Sequence, residues 1–200
     1  MDISRIAPSQ PYAALIFDCD GTLADTMPAH FAAWNAALRS FGAEITEKRF
    51  YELGGVPSAA IIEILNRENG YTLDVPRTVE EKERRYTEGL HVVEEIKAVT
   101  DIARAHYGKV PMAVASGGLR GIVHQTLDNL GITSLFDTVV TADDVTHGKP
   151  APDMFLLAAN RLGVAPADCI VYEDGEPGII AAGAAGMRVV DVRVLWSAYK

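Results

Sequence analysis

Two cysteines, Cys19 and Cys169, in 200 residues exclude a disulfide framework and a cysteine-built zinc set. Both lie in strand-like surroundings, the pattern of reduced thiols in a cytoplasmic protein. The five histidines are scattered, and no pair has the helical spacing of zinc ligands. Basic residues are scarce: 18 Lys and Arg stand against 27 Asp and Glu, for a formal charge of −9. That balance argues against nucleic acid or an anionic membrane as partner. No run approaches the roughly 20 apolar residues of a membrane span, and Met1–Tyr12 hold no apolar stretch of signal-peptide length. Neither nucleotide-binding glycine pattern is present; Ser116–Gly121 resembles the dinucleotide loop only superficially. Asp18-Cys19-Asp20-Gly21 is not an EF-hand loop, because its glycine falls too early and its twelfth position is Ala29.

What is present is an ordinary globular composition, 48% hydrophobic and 22% charged, long enough for one domain with an insertion. Short apolar runs at Ala13–Phe17, Pro111–Ala115, Thr138–Thr141, Cys169–Tyr172 and Arg188–Val192 read as buried strands. Helical patterns over Ile122–Leu130, Met154–Leu162 and Ile179–Ala185 each stop at a glycine. The alternation predicts a parallel sheet covered on both faces. From Ala24 to about Val92 it breaks off: Pro28–Phe41, Ala59–Asn69 and the charged run Val79–Leu90 read as helices, with Ser58 as an N-cap. This stretch reads as a helical insertion over the C-terminal edge of the sheet.

Four segments end or follow a strand: Asp18–Thr22, Ser116-Gly117-Gly118, Gly148–Asp153 with Lys149 inside it, and Glu173-Asp174-Gly175. Any one of them reads equally as a turn. In a parallel sheet all four project at the edge where open α/β folds bind ligands. Four carboxylates, Asp18, Asp20, Glu173 and Asp174, are too much negative charge for one place without a cation. Mg²⁺ takes oxygen ligands and keeps waters beside substrate phosphate. The expected ligands are Asp18, the Asp20 carbonyl and Asp174, with Glu173 in or beside the set. Phosphoryl transfer fits this chemistry. Asp18 would attack phosphorus, and Asp20 would protonate the leaving oxygen and then activate water. Lys149 would offset charge, or else be a surface lysine before a proline-rich turn. Ser116 and the Gly117 N–H would donate to phosphate, with a helix N-cap as the other reading of Ser116. Thr22 would orient the loop.

These segments, in this order, resemble the haloacid dehalogenase (HAD) superfamily of phosphohydrolases over essentially the whole chain. The resemblance implies an α/β fold, a doubly wound parallel sheet (a Rossmann-like HAD core) with an inserted helical cap. Residues 1–23 and 93–200 would form the core and 24–92 the cap. It gives the nucleophile to Asp18, the acid/base to Asp20, charge support to Lys149 and phosphate contact to Ser116. Metal binding goes to Asp18, Asp20, Glu173 and Asp174, with Mg²⁺ as cofactor. Asp25–His30 and Ala33-Trp34 are similar to the hinge and first cap helix of the β-phosphoglucomutase-like branch. The branch places His30, Gly55, Ser58 and Lys82 near the substrate; His30 and Lys82 read equally as a half-buried histidine and a solvated lysine. Hinges are expected near Ala24–Pro28 and Val92–Ala98. Where mutases carry an arginine for a second phosphate, this chain has Ser58, unless Arg84 or Arg85 replaces it. The resemblance therefore implies a monomeric, cytoplasmic, Mg²⁺-dependent phosphatase of small sugar phosphates, of the fructose-1-phosphate or phosphogluconate type, acting through an aspartyl phosphate. The alternatives are a β-phosphoglucomutase and a non-catalytic binding module.

Overall fold

The computed structural model describes residues 3–53, 56–89 and 93–198. Its contacts divide into two units: an α/β unit of residues 1–25 and 94–200, and a helical unit of residues 26–93. The chain crosses between them at two adjacent points. There β2 (Ala24–Asp25) pairs antiparallel with β3 (Glu94–Glu95), a ribbon too short for the apolar pattern to announce.

The α/β unit is built on five parallel strands: β1 (Ala14–Phe17), β4 (Met112–Ala115), β5 (Thr138–Val140), β6 (Cys169–Glu173) and β7 (Arg188–Asp191). Their order is β5-β4-β1-β6-β7, so the chain reverses direction across the sheet beside β1. Four of the five expected strands lose one residue at one end, while the strand at Cys169 runs one residue further and includes Glu173. Both faces of the sheet are buried, and alternate side chains supply two separate cores. Leu15, Phe17, Met112, Val114, Ile170 and Tyr172 point to one. Ala14, Ile16, Ala113, Ala115, Cys169 and Val171 point to the other. On the first face lie α5 (Lys97–His106) and α6 (Arg120–Asn129), through Val99, Ile102, Val123 and Leu127. On the second lie α7 (Asp153–Leu162) and α8 (Glu176–Ala184), through Phe155, Ala158, Ala181 and Ala182. This is why the strands read as unbroken apolar runs rather than as alternating ones.

The helical unit holds α1 (Met27–Ser40), α2 (Glu47–Glu52), α3 (Ser58–Asn69) and α4 (Val75–Gly89) around Trp34, Leu38, Phe50, Ile62 and Leu65. Two sequence expectations change here. Pro57, not Ser58, stands at the N-cap of α3, and no side chain caps that end. Within the charged run, Lys82 and Tyr86 are buried, whereas Arg84 and Glu88 are exposed. No helix among the described residues is long and apolar enough to cross a membrane.

Candidate active site

Register brings the segments together. Phe17 lies level with both Val114 and Tyr172, so Asp18, Ala115 and Glu173 stand side by side at the same edge. The Asp18 N–H donates to the Tyr172 carbonyl at 3.0 Å, which carries the pairing one residue past β1. The chain then turns tightly: the Leu23 and Ala24 N–H groups donate back to the Cys19 carbonyl, and Gly21 takes φ +81°. A side chain at Gly21 would be strained, and its Cβ would lie 2.2 Å from Asp174 Oδ2.

Lys149 arrives from the segment between β5 and α7, and its bond to Pro150 is cis. Its Nζ donates to Asp18 Oδ1 at 2.5 Å and to Glu173 Oε1 at 3.4 Å. It is not a surface lysine, because only 10% of its side chain is exposed. Burial works against its charge, yet Asp18 and Glu173 together raise its pKa above the ordinary lysine value. Asp18, Glu173 and Asp174 each bring a carboxylate oxygen into a group spanning no more than 4.8 Å. Burial raises the pKa of all three. For Asp174, burial and then the charge of Asp18 push it up to about 7. Thr22 Oγ1 donates to Asp174 Oδ1 at 3.0 Å and holds it in place. Glu173 Oε2 is buried with no hydrogen-bond partner.

One ammonium cannot balance three clustered carboxylates, and a buried acceptor without a donor is costly. A hard divalent cation fits both observations. All the donors are oxygen, as Mg²⁺ requires.

Asp20 has a different environment. Its Oδ2 accepts from Ser116 Oγ at 3.3 Å, and its carboxylate is not one of the three grouped oxygens. Ser116 is fully buried and its Oγ also accepts from the Gly118 N–H at 3.0 Å. The alternative of Ser116 as a helix N-cap fails, because α6 begins at Arg120 and Leu119 stands at its cap position. Gly117, on the same turn, is exposed. Thus Asp18, Asp20, Thr22, Ser116, Lys149, Glu173 and Asp174 converge within the α/β unit.

His30, Ser58 and Lys82 meet in the helical unit. The His30 and Tyr86 rings stack at 3.8 Å and 6°. Lys82 Nζ lies 5.2 Å from the centre of the Tyr86 ring and 2.9 Å from Glu83 Oε1. Ser58 Oγ donates to the same Glu83 oxygen at 3.4 Å. Gly55 lies outside the described residues. Glu83 is a member of this cluster that sequence reasoning missed, since residues one apart on a helix do not face each other. Gly178 is the other omission. A Cβ there would lie 1.6 Å from Glu173 Oε1, so only glycine leaves room for that carboxylate. The apolar pattern starts that helix at Ile179 and leaves Gly178 outside it, whereas α8 begins at Glu176 and takes the glycine in.

A doubly wound sheet with a clustered aspartate–lysine–carboxylate edge defines a class of hydrolase, and the comparisons agree. The family model for haloacid dehalogenase-like hydrolases matches residues 15–192. The chain belongs to this family. It is 42% identical over 184 residues to the fructose-1-phosphate phosphatase YqaB of Escherichia coli, covering 92% of this chain and 98% of that protein. It is 31% identical over 179 residues to a phosphorylated carbohydrates phosphatase of Thermotoga maritima, covering 88% and 82% of the two chains. The crystal structure of CbbY from Rhodobacter sphaeroides in complex with phosphate superposes with a TM-score of 0.79 at 25% identity, covering 90% and 85%.

Proposed function

We propose that this protein is a Mg²⁺-dependent phosphatase of small sugar phosphates, with Asp18 as nucleophile. The observation that carries the reading is the separation of the two aspartates. Asp18 is buried against Lys149 at 2.5 Å, whereas Asp20 is turned to Ser116. A pair one residue apart thus divides into a nucleophile paired with an ammonium and a carboxyl set beside a hydroxyl, placed to carry a proton. Relatives named as fructose-1-phosphate and carbohydrate phosphatases support the substrate class.

In this mechanism an Asp18 oxygen attacks phosphorus as the ester P–O bond breaks, and Asp20 gives its proton to the departing sugar oxygen. Asp20 then takes a proton from water, whose oxygen attacks the aspartyl phosphate; phosphate leaves and Asp18 is restored. Lys149 opposes the burial that raises the Asp18 pKa and aims its carboxylate, and the Ser116 hydroxyl and Gly117 N–H donate to phosphate oxygens. Asp18, Glu173, Asp174 and the Asp20 carbonyl would hold Mg²⁺, which when bound offsets the negative charge of the phosphoryl group. His30, Gly55, Ser58 and Lys82 would select the sugar; Gly55 lies outside the described residues. Residues Ala24–Pro28 and Val92–Ala98, of which Val92 lies outside the described residues, would serve as hinges.

The test is phosphate release by Asp18→Asn. An amide is not a nucleophile, so turnover should vanish while Tm stays within a few degrees of the native protein. Release at the native rate would overturn the proposal.

A further inference from the structure

We infer that Asp144 is a positioning residue: it fixes the turn that carries Ser116 and Gly117, and so aims the serine hydroxyl at the phosphoryl group. The inference rests on the reading above, in which that turn serves phosphate. All the residues concerned belong to the α/β unit.

The turn after β4 does little to hold itself. Gly117 and Gly118 have no side chains, and a glycine backbone is the freest in a chain. Leu119, which follows, is 51% exposed, so packing does not pin the turn either. Restraint comes from the segment after β5. The Ser116 N–H donates to the Val140 carbonyl at 2.9 Å, and the Ala142 N–H donates to the Gly118 carbonyl at 3.1 Å. Gly118 gives its own N–H to Ser116 Oγ at 3.0 Å. The pose of the hydroxyl thus depends on where Ala142 sits.

Asp144 sets that position. Its side chain is 6% exposed, and its carboxylate accepts four hydrogen bonds. Oδ2 takes the Thr141 N–H at 2.9 Å and the Thr141 hydroxyl at 3.0 Å, which closes the short turn around Ala142. Oδ1 takes Arg161 of α7 at 2.7 Å and Arg120 of α6 at 3.0 Å. Arg161 also donates to the Val139 carbonyl at 3.0 Å, and the Arg120 N–H donates to Asp143 Oδ2 at 2.7 Å. Two helices and the end of β5 are therefore tied to one carboxylate. Burial opposes its charge, yet Arg161, Thr141 and Arg120 hold its pKa below the ordinary aspartate value, so the anchor stays ionised at neutral pH.

The experiment measures kcat/KM for phosphate release from fructose 1-phosphate, using the full chain with Mg²⁺, in native protein, Asp144→Ala, Ser116→Ala and the double variant. Asp144→Ala should lose about 10–100-fold, the scale of a small displacement of a group that meets the transition state. In the Ser116→Ala background the same change should cost only about 2–5-fold, the share left to the Gly117 N–H. A residue that merely supports the fold would cost the same in both. Should Asp144→Ala lower Tm by more than a few degrees, Asp144→Asn takes its place in the cycle, since it keeps the shape and turns one acceptor into a donor. Equal losses in the two backgrounds, or no loss in either, overturn the inference and leave the phosphatase reading standing. No release by native protein overturns both.

Discussion

Gly178 shows how a residue without a side chain governs charged groups. The Cβ of an alanine there would occupy the space of Glu173 Oε1 at 1.6 Å and crowd its Cδ at 2.2 Å. Glu173 would have to swing away, breaking its 3.4 Å contact with Lys149 and moving a proposed metal donor. Gly178→Ala is expected to lower kcat and Mg²⁺ affinity by about 10–100-fold, the usual cost of disturbing the surroundings of a metal site. In a Glu173→Ala background the same substitution should do almost nothing, because the damage travels through that carboxylate. A double-mutant cycle read by Mg²⁺ titration and steady-state kinetics measures this. Additive losses would count against it.

At the scale of elements, the strands that position the site are also the ones that hold the α/β unit together. Phe17 is fully buried directly before Asp18. Its ring stacks on Tyr172 at 4.8 Å and meets the edge of Phe136 at 5.8 Å. Phe17→Ala is expected to cost about 3–5 kcal/mol of folding stability, through lost burial and the cavity left behind. Urea unfolding would show it as a lower midpoint with the slope retained.

These strands were legible in the sequence because both faces are covered. A run such as Ala14-Leu15-Ile16-Phe17 has no reason to alternate. The residues at their C-terminal tips were legible for the same reason, since a parallel sheet sends them to one edge. What stayed hidden depends on long-range geometry. The two-residue β2 and β3 carry no periodicity, and α2 spans six residues. Lys82 read equally as solvated because its neighbours are charged, and the rings of Trp34 and Tyr86 that lie against its ammonium come from positions the charged run does not announce.

At the scale of the whole molecule, metal-free protein should pay for its acidic edge as the pH rises. Burial, with Asp18 next, lifts Asp174 from 3.8 to about 7. Between about pH 5 and 7 the folded chain therefore holds a proton that the unfolded chain has released, and stability falls as pH increases. The raised Asp18 and Glu173 act in the same direction. Carboxylates held below their usual range, such as Asp144 and Asp191, have titrated by then and leave this window flat. In EDTA, Tm should drop from pH 5 to 7.5. Excess Mg²⁺ should reverse the drop by binding the folded state alone, and Asp174→Asn should make it shallower, with Asp18 and Glu173 supplying what remains. A Tm in EDTA that does not change over this range would refute the expectation.

The narrow neck at Asp25 and Glu94 has a further consequence. Facing positions on paired antiparallel strands lie only about 5 Å apart, a gap that a two-residue Asn-Gly turn can bridge. Splicing such a turn in place of residues 26–93 should yield a miniature protein that still melts in one cooperative step by circular dichroism. A broad, non-cooperative melt would show that the sheet depends on its insert. If the miniature folds, the neck is a natural grafting point, where foreign inserts with closely spaced ends can be exchanged without redesigning a single strand.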